Sequence, residues 1–237
     1  MRRSLRDLSF DINSSFVILV SSFFPMHYFI TGTDTDAGKT YVTCLLLEAL
    51  KREGKRVAGF KPFVCGQRDD AIHLANASRE GLTVEEVNPV WFKVPAAPYA
   101  ASLMENRRFE LNDVIAKFGE LAESHDHVLV EGAGGWEVPL NEFSTLADFA
   151  QRLALPVIVV VNNKLGCLNH TILTVRNIQA RGLTCAGVIL NYVQDERDAA
   201  SISNRMVLEH FLDVPVLAEI MHGETEIDWP LSSGDAG

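Results

Sequence analysis

Four stretches of this chain combine residue types suited to phosphate and hard-cation chemistry. The first is Gly32-Thr33-Asp34-Thr35-Asp36-Ala37-Gly38-Lys39-Thr40. A turn of this composition points backbone N–H groups inward, and a following helix adds partial positive charge at its start. Lys39 would then reach terminal phosphates, and the Thr40 hydroxyl would hold Mg²⁺. The spacing departs from the usual phosphate loop (P-loop), which has four residues between its glycines. Here five separate Gly32 from Gly38, and Thr33 stands where Gly or Ala is expected.

The second stretch is Val128-Leu129-Val130-Glu131-Gly132-Ala133-Gly134-Gly135, an apolar run ending in a carboxylate and then a glycine-rich turn. In a parallel sheet that edge is shared with the phosphate loop, so Glu131 is expected near the cation. The third is Lys61-Pro62, followed by Cys65-Gly66 and Asp69-Asp70. Lys61 offers a second fixed cation, and Asp70 a third oxygen ligand beside Thr40 and Glu131. Read alone, Lys61 is a solvated strand-end lysine and Asp70 an exposed acid or a helix cap. Both lysines are placed at loop edges, where their removal should leave the core intact. The fourth is Lys164-Leu165-Gly166-Cys167-Leu168-Asn169-His170. It reads equally as a helix start capped by Asn169 and as an anion-binding helix start.

These residues need a frame that brings them to one edge. Apolar β-rich runs at 27–31, 56–61, 127–131, 156–161, 185–190 and 214–220 read as strands covered on both faces. Helical patterns fall at 40–51, around 111–121, at 169–180 and at 198–211, with Gly54 and Gly182 closing two of them. Strand–helix alternation implies an α/β, doubly wound, mostly parallel sheet with helices on both faces. Residues 88–101, with three prolines and no clear period, read as an ordered loop over one end of the sheet. The division expected is a single domain over 26–237, preceded by a disordered extension or mis-assigned start at 1–25.

Composition narrows the function classes. The 237 residues carry 21 Lys plus Arg against 31 Asp plus Glu, a net charge of −10. Such a surface repels nucleic-acid backbones. Any anionic ligand must be held by local cations and N–H groups. Four cysteines without paired spacing argue against zinc and disulfides and for a reducing cytosol. The apolar patch at 16–20 is too short to span a bilayer, and no cleavage pattern follows it. A cytoplasmic protein with no membrane partner is expected.

Together the four motifs, in this order, resemble the dethiobiotin synthetase family over roughly residues 26–220. The resemblance implies a P-loop NTPase-like fold and an ATP- and Mg²⁺-dependent ligase. It would carboxylate 7,8-diaminononanoate with CO₂ and close the ring to dethiobiotin, through a carbamate and a carbamic-phosphoric anhydride. By the same resemblance Asp36, Ala37, Gly38, Lys39, Thr40 and Tyr41 would line the triphosphate, with Gly132, Ala133 and Gly134 approaching it. Thr40, Asp70 and Glu131 would hold the metal. Lys61, Lys39 and Thr35 would be catalytic, with Thr35, Lys61 and Cys65 at the carbamate or diamine end. Asn191 and Tyr192 would lie near adenine. The substrate carboxylate would meet Gly166, Cys167, Leu168 and Asn169 of a partner subunit in a homodimer.

Three features depart from the family pattern: Cys65 in place of Ser or Thr, a short 61–70 segment, and Met221-His222-Gly223 where a proline-containing adenine loop is expected. Two other readings share parts of this pattern. A ParA- or MinD-like ATPase switch requires a signature lysine early in the loop, and Thr33, Asp34 and Thr35 supply none. A cobyrinate-type amide ligase requires an ammonia-supplying domain or subunit.

Overall fold

The computed structural model describes residues 26–231; the expectation for residues 1–25 lies outside them. Six strands form one parallel sheet: β1 (Tyr28–Gly32), β2 (Val57–Phe60), β5 (His127–Gly135), β6 (Val157–Asn162), β7 (Cys185–Asn191) and β8 (Val216–Ile220). Their order is β2-β5-β1-β6-β7-β8. The chain therefore winds outward from β1 to one side, returns through β5, and continues on the other side. Ligands of such sheets collect at the carboxyl ends of the strands, where the winding reverses.

Alternate residues of the strands enter two separate cores. Ile30, Leu129, Ile158 and Ile189 face α1 (Lys39–Arg52) and α2 (Asp69–Ala77). Phe29, Val130, Val159 and Val188 face α5 (Leu111–Ser124), α6 (Leu146–Leu153), α7 (Cys167–Ala180) and α8 (Ala199–Phe211). Covering on both faces explains the unbroken apolar runs. Helix α1 ends at Gly54 as expected: the Gly54 N–H donates to Lys51 O and the Lys55 N–H to Leu50 O.

The structure corrects three expectations. Residues 88–101 are not a plain loop. They hold β4 (Val90–Phe92), which pairs in parallel with β3 (Phe63–Cys65), and the start of α4 (Pro98–Met104). The pairing is nonlocal and the strands are three residues long, so no periodicity announces them. Second, β5 does not end at Glu131 but runs through Gly135: after a break in register, with Gly134 in the left-handed region at φ 67°, Gly135 pairs beside Gly32. Third, α2, α3 (Val84–Val87) and α6 were not anticipated. For α3 and α6 the signal was present: Thr83 with Glu86, and Thr145 with Asp148, form reciprocal capping boxes.

Beyond β8 the chain returns across α1. Trp229 packs edge-on against Tyr28, with centroids 5.4 Å apart, and against His127. Among the described residues no helix is long and apolar enough to cross a membrane.

At the opposite edge from the strand C-termini, Asp126 accepts from the Arg56 backbone N–H at 2.8 Å and from its guanidinium at 2.7 Å. These bonds hold the Asp126 carboxyl down to about 2. Since the folded value lies below the ordinary one, the contribution is complete above about pH 4 and is lost as pH falls through about 2. Asp126→Asn should therefore lower the urea midpoint at pH 7, and its deficit relative to the parent should shrink between pH 4 and pH 2. An equal deficit at both ends of that range would show that the charge is not involved.

Candidate functional site

The loop from Gly32 to Lys39 bridges β1 and α1. Gly38 precedes the helix at φ 81°, in the left-handed region, and a Cβ there would lie 2.1 Å from Asn191 Nδ2. No side chain caps the helix, so its first N–H groups face the space above the sheet. Lys39 lies back across Gly32 and donates to Asp34 O at 3.1 Å. Burial, with Lys61 as the next cause, lowers its ammonium to about 8.

Below the loop a fully buried carboxylate organises three elements. Glu131 on β5 has no exposed surface. Its Oε1 accepts from the Thr40 hydroxyl of α1 at 2.6 Å and from Lys61, which follows β2. Lys61 is 4% exposed and also donates to Asp70 Oδ2 of α2 at 2.9 Å. Burial works against the Lys61 charge, but Glu131 and Asp70 more than offset it and hold the ammonium above its ordinary value. Asp70 is held low: burial opposes its charge, and Lys61 outweighs it. Glu131 Oε2 is buried with no partner.

Glu131 Oε2, the Thr40 hydroxyl and Asp70 form an all-oxygen donor set of the kind hard cations take. That the Glu131 oxygen of this set is buried and has no protein partner fits a divalent cation. Among the described residues no group of three or more His, Cys, Asp or Glu side chains is arranged to hold a metal ion by itself.

The open side of this group is a cavity of about 420 Å³, lined by Thr35, Lys61, Cys65, Asp70, Ala133 and Gly134 among others. Apolar walls come from Phe63, Val64 and Pro95. Burial, with Glu105 next, pushes the Cys65 thiol up to about 11, so it is a neutral group here. Gly132 lies just below: a Cβ there would be 2.6 Å from Leu146 Cδ2. The glycines of this strand thus let α6 pack close while Ala133 and Gly134 face the cavity.

The other anticipated residues fall in three places. Asp36 is exposed at φ 61°, and Tyr41 points outward, its hydroxyl donating to Glu224 O. Of the 36–41 stretch, Lys39 and Thr40 direct functional groups to the site. Asn191 ends β7 beneath the loop, donating from Nδ2 to Ala37 O at 3.0 Å. Tyr192 is buried, its hydroxyl donating to Ser201 O at 3.2 Å and lying 3.1 Å from Glu219 Oε1. The turn Met221-His222-Gly223 closes beside it, with His222 Nδ1 2.8 Å from Val193 O.

Gly166, Cys167, Leu168 and Asn169 do not line the cavity of their own chain. Asn169 lies inside α7 and is not its cap; Gly166 is, at φ 91°, with no side-chain bond. Cys167 turns inward, 3% exposed, with Asn204 Nδ2 3.2 Å from its sulfur. Sequence reasoning missed Asn163 and Asn204, the buried amides that fix this corner through a 2.7 Å bond. It also missed the apolar cavity wall from β3 and the 95–98 segment.

Lys61 needs the largest revision. It is not a loop-edge lysine whose loss spares the core, because its removal leaves Glu131 buried and unpaired. Lys61→Ala should cost about 3–5 kcal/mol of stability, and adding Glu131→Gln should return a large part of it. Urea unfolding measures both. A single variant within about 1 kcal/mol of the parent would show that solvent reaches Glu131.

A sequence-family profile described as an AAA domain matches residues 26–225. The ATP-dependent dethiobiotin synthetase BioD of Akkermansia muciniphila is 43% identical over 202 residues, covering 85% of this chain and 95% of that relative. The corresponding protein of Bacillus subtilis is 36% identical, covering 80% and 84%. BioD 1 of Escherichia coli is 41% identical, covering 81% and 89%. Among solved structures, the septum site-determining protein MinD of Pyrococcus horikoshii, complexed with Mg-ADP, aligns with TM-score 0.54 and 22% identity. It covers 83% of this chain and 81% of that one. A ParA family ATPase of Chlorobium tepidum aligns at 0.52 and 12%, covering 85% of each chain. At these identities the structural likeness establishes the P-loop NTPase-like fold and no more.

Proposed function

The chain belongs to the ATP-dependent dethiobiotin synthetase family, a family of ligases, and we propose how its residues carry the reaction and what they bind. The substrates are ATP, CO₂ and 7,8-diaminononanoate, and the products are dethiobiotin, ADP and phosphate. The observation that carries this reading is the linked cluster of Thr40, Glu131, Lys61 and Asp70, in which Lys61 and Asp70 line a cavity that also presents Thr35 and Cys65.

An amine of the substrate attacks CO₂ and loses a proton, giving a carbamate. The amine must be neutral, and the Lys39 and Lys61 ammonium groups would disfavour a further positive charge on it. A carbamate oxygen then takes the γ-phosphoryl group of ATP, and ADP leaves. The second amine attacks the carbamoyl carbon, loses a proton and expels phosphate, closing the cyclic urea. Lys39 and the N–H groups at the start of α1 stabilise the charge developing on the transferred group, while Lys61 meets the carbamate. The Thr35 hydroxyl and the neutral Cys65 thiol orient the diamine end. Mg²⁺ held by Thr40, Asp70 and Glu131 would neutralise phosphate charge. Asn191, and Tyr192 through the backbone it anchors, would border the adenine.

The carboxylate end of the substrate is assigned to a second copy of the chain. Two features support this: residues 166–169 lie away from their own cavity, and Leu165 and Leu173 beside them are exposed, at 77% and 59%. The active form is then a homodimer of single-domain chains over 26–237, working in the cytoplasm. A ParA- or MinD-like ATPase-switch role on a membrane or DNA finds no support in the loop, which lacks an early lysine.

Product analysis tests the reaction: ATP, Mg²⁺, bicarbonate and the diamine should yield dethiobiotin. ATP turnover without that product would reject the assignment. Lys39→Ala should lower turnover about 10²–10³-fold. Asn169→Asp should weaken diamine binding and spare ATP. Mixing the two variants should restore partial turnover, since one site of the heterodimer has both residues intact. No recovery despite demonstrated subunit exchange would reject the shared site.

A further inference from the structure

Asn191 does more than end β7 near the nucleotide. Its backbone is pinned on both sides within the sheet. Its carbonyl accepts from the Asn163 N–H at 2.9 Å, and the next N–H, of Tyr192, donates to Ile220 O at 2.8 Å. The residue is in register with Asn162 on one side and Ile220 on the other. From this fixed base its side chain, 2% exposed at residue level, donates from Nδ2 to Ala37 O in the loop at 3.0 Å.

That contact falls where the loop needs holding. Asp36, immediately before Ala37, sits at φ 61° without being glycine, a conformation that persists only when neighbours enforce it. Gly38, immediately after, is in the left-handed region, and a Cβ there would collide with the Asn191 amide. Side-chain grips on this loop are few. Thr35 N–H donates to Asp34 Oδ1 within it, and Lys39 Nζ donates to Asp34 O. The Lys39 grip is given up when that ammonium turns to phosphate. Among the described residues, only the Asn191 bond ties the middle of the loop to the sheet by a side chain that does not itself move to the phosphates. With Nδ2 committed to Ala37, Oδ1 is left buried and without a partner.

We infer that Asn191 is a positioning residue for the phosphate loop, fixing the Asp36–Gly38 backbone through Ala37 O independently of any contact with the base. This rests on the proposed ATP site and adds a role that base recognition does not require. If Asn191 served the base alone, its loss would matter only for nucleotides whose base it touches. If it shapes the loop, its loss weakens the grip on phosphates whatever the base.

The test compares ATP with purine riboside triphosphate, which lacks the exocyclic amine that could donate to Oδ1. Binding to the full-length parent, Asn191→Ala and Asn191→Ser is measured by calorimetry with Mg²⁺ present. Neither replacement reaches Ala37, and serine guards against failure of the alanine chain to fold. The expected result is a loss of about tenfold in affinity for both nucleotides, of similar size for each, in both variants. Diamine binding should be unchanged, which a general loss of structure would not allow. A penalty seen with ATP and absent with purine riboside triphosphate would overturn the inference. So would equal weakening of nucleotide and diamine. Failure of the parent to bind either nucleotide would instead reject the ATP site itself.

Discussion

A carboxylate with no access to solvent is among the costlier groups a fold can hold, and Glu131 is placed on an inner strand of a six-stranded sheet, next to the edge strand. Its presence dictates what surrounds it. Lys61 must come from β2, the edge neighbour of β5, and Thr40 must come from the first turn of α1. Asp70 shares the Lys61 ammonium from α2. One buried charge thus fixes the mutual position of two strands and two helices, and it does so where the phosphate loop opens. Replacing such a pair by apolar residues of equal volume is often neutral or stabilising. Its value here lies in chemistry: an orphaned oxygen, a hydroxyl and two ammonium groups held beside one cavity.

The likeness to MinD and ParA structures and the likeness to dethiobiotin synthetase sequences answer different questions. The first concerns the sheet and its winding, which many activities share. The second concerns the residues at its carboxyl edge. Two parts of that edge shape the site of this chain. One is the cavity walled by the β3–β4 ribbon and the 95–98 segment. The other is the glycine strand that continues beyond Glu131.

The main sheet and its helices were legible because each strand buried on both faces writes a continuous apolar run, and Gly54 and Gly182 punctuate the helices. The phosphate loop was legible because its chemistry needs specific residues in local sequence. The β3–β4 pair was not, since three-residue strands whose paired residues lie 27 positions apart leave no local period. Lys61 was identified as functional yet misjudged in burial: a lysine at a strand end reads as solvated until the carboxylate it meets, 70 residues later, is in place. Asn169 was offered as a cap, and the left-handed Gly166 took that position instead. For β3–β4 and Lys61 the missing information was a contact between distant parts of the chain; at Gly166 it was a local left-handed turn.

The return of the chain across α1 has a topological consequence. Tyr28 opens the first strand and Trp229 lies two residues before the end of the described chain, yet their rings touch. The described chain is therefore nearly a closed ring, its two ends meeting on the face away from the α5–α8 layer. Joining them would bridge a short span at small entropic cost. The order in which the strands are synthesised is thus separable from the architecture they build, and an opening cut at an exposed turn such as 142–144 would leave the carboxylate, the loop and the cavity floor on intact elements.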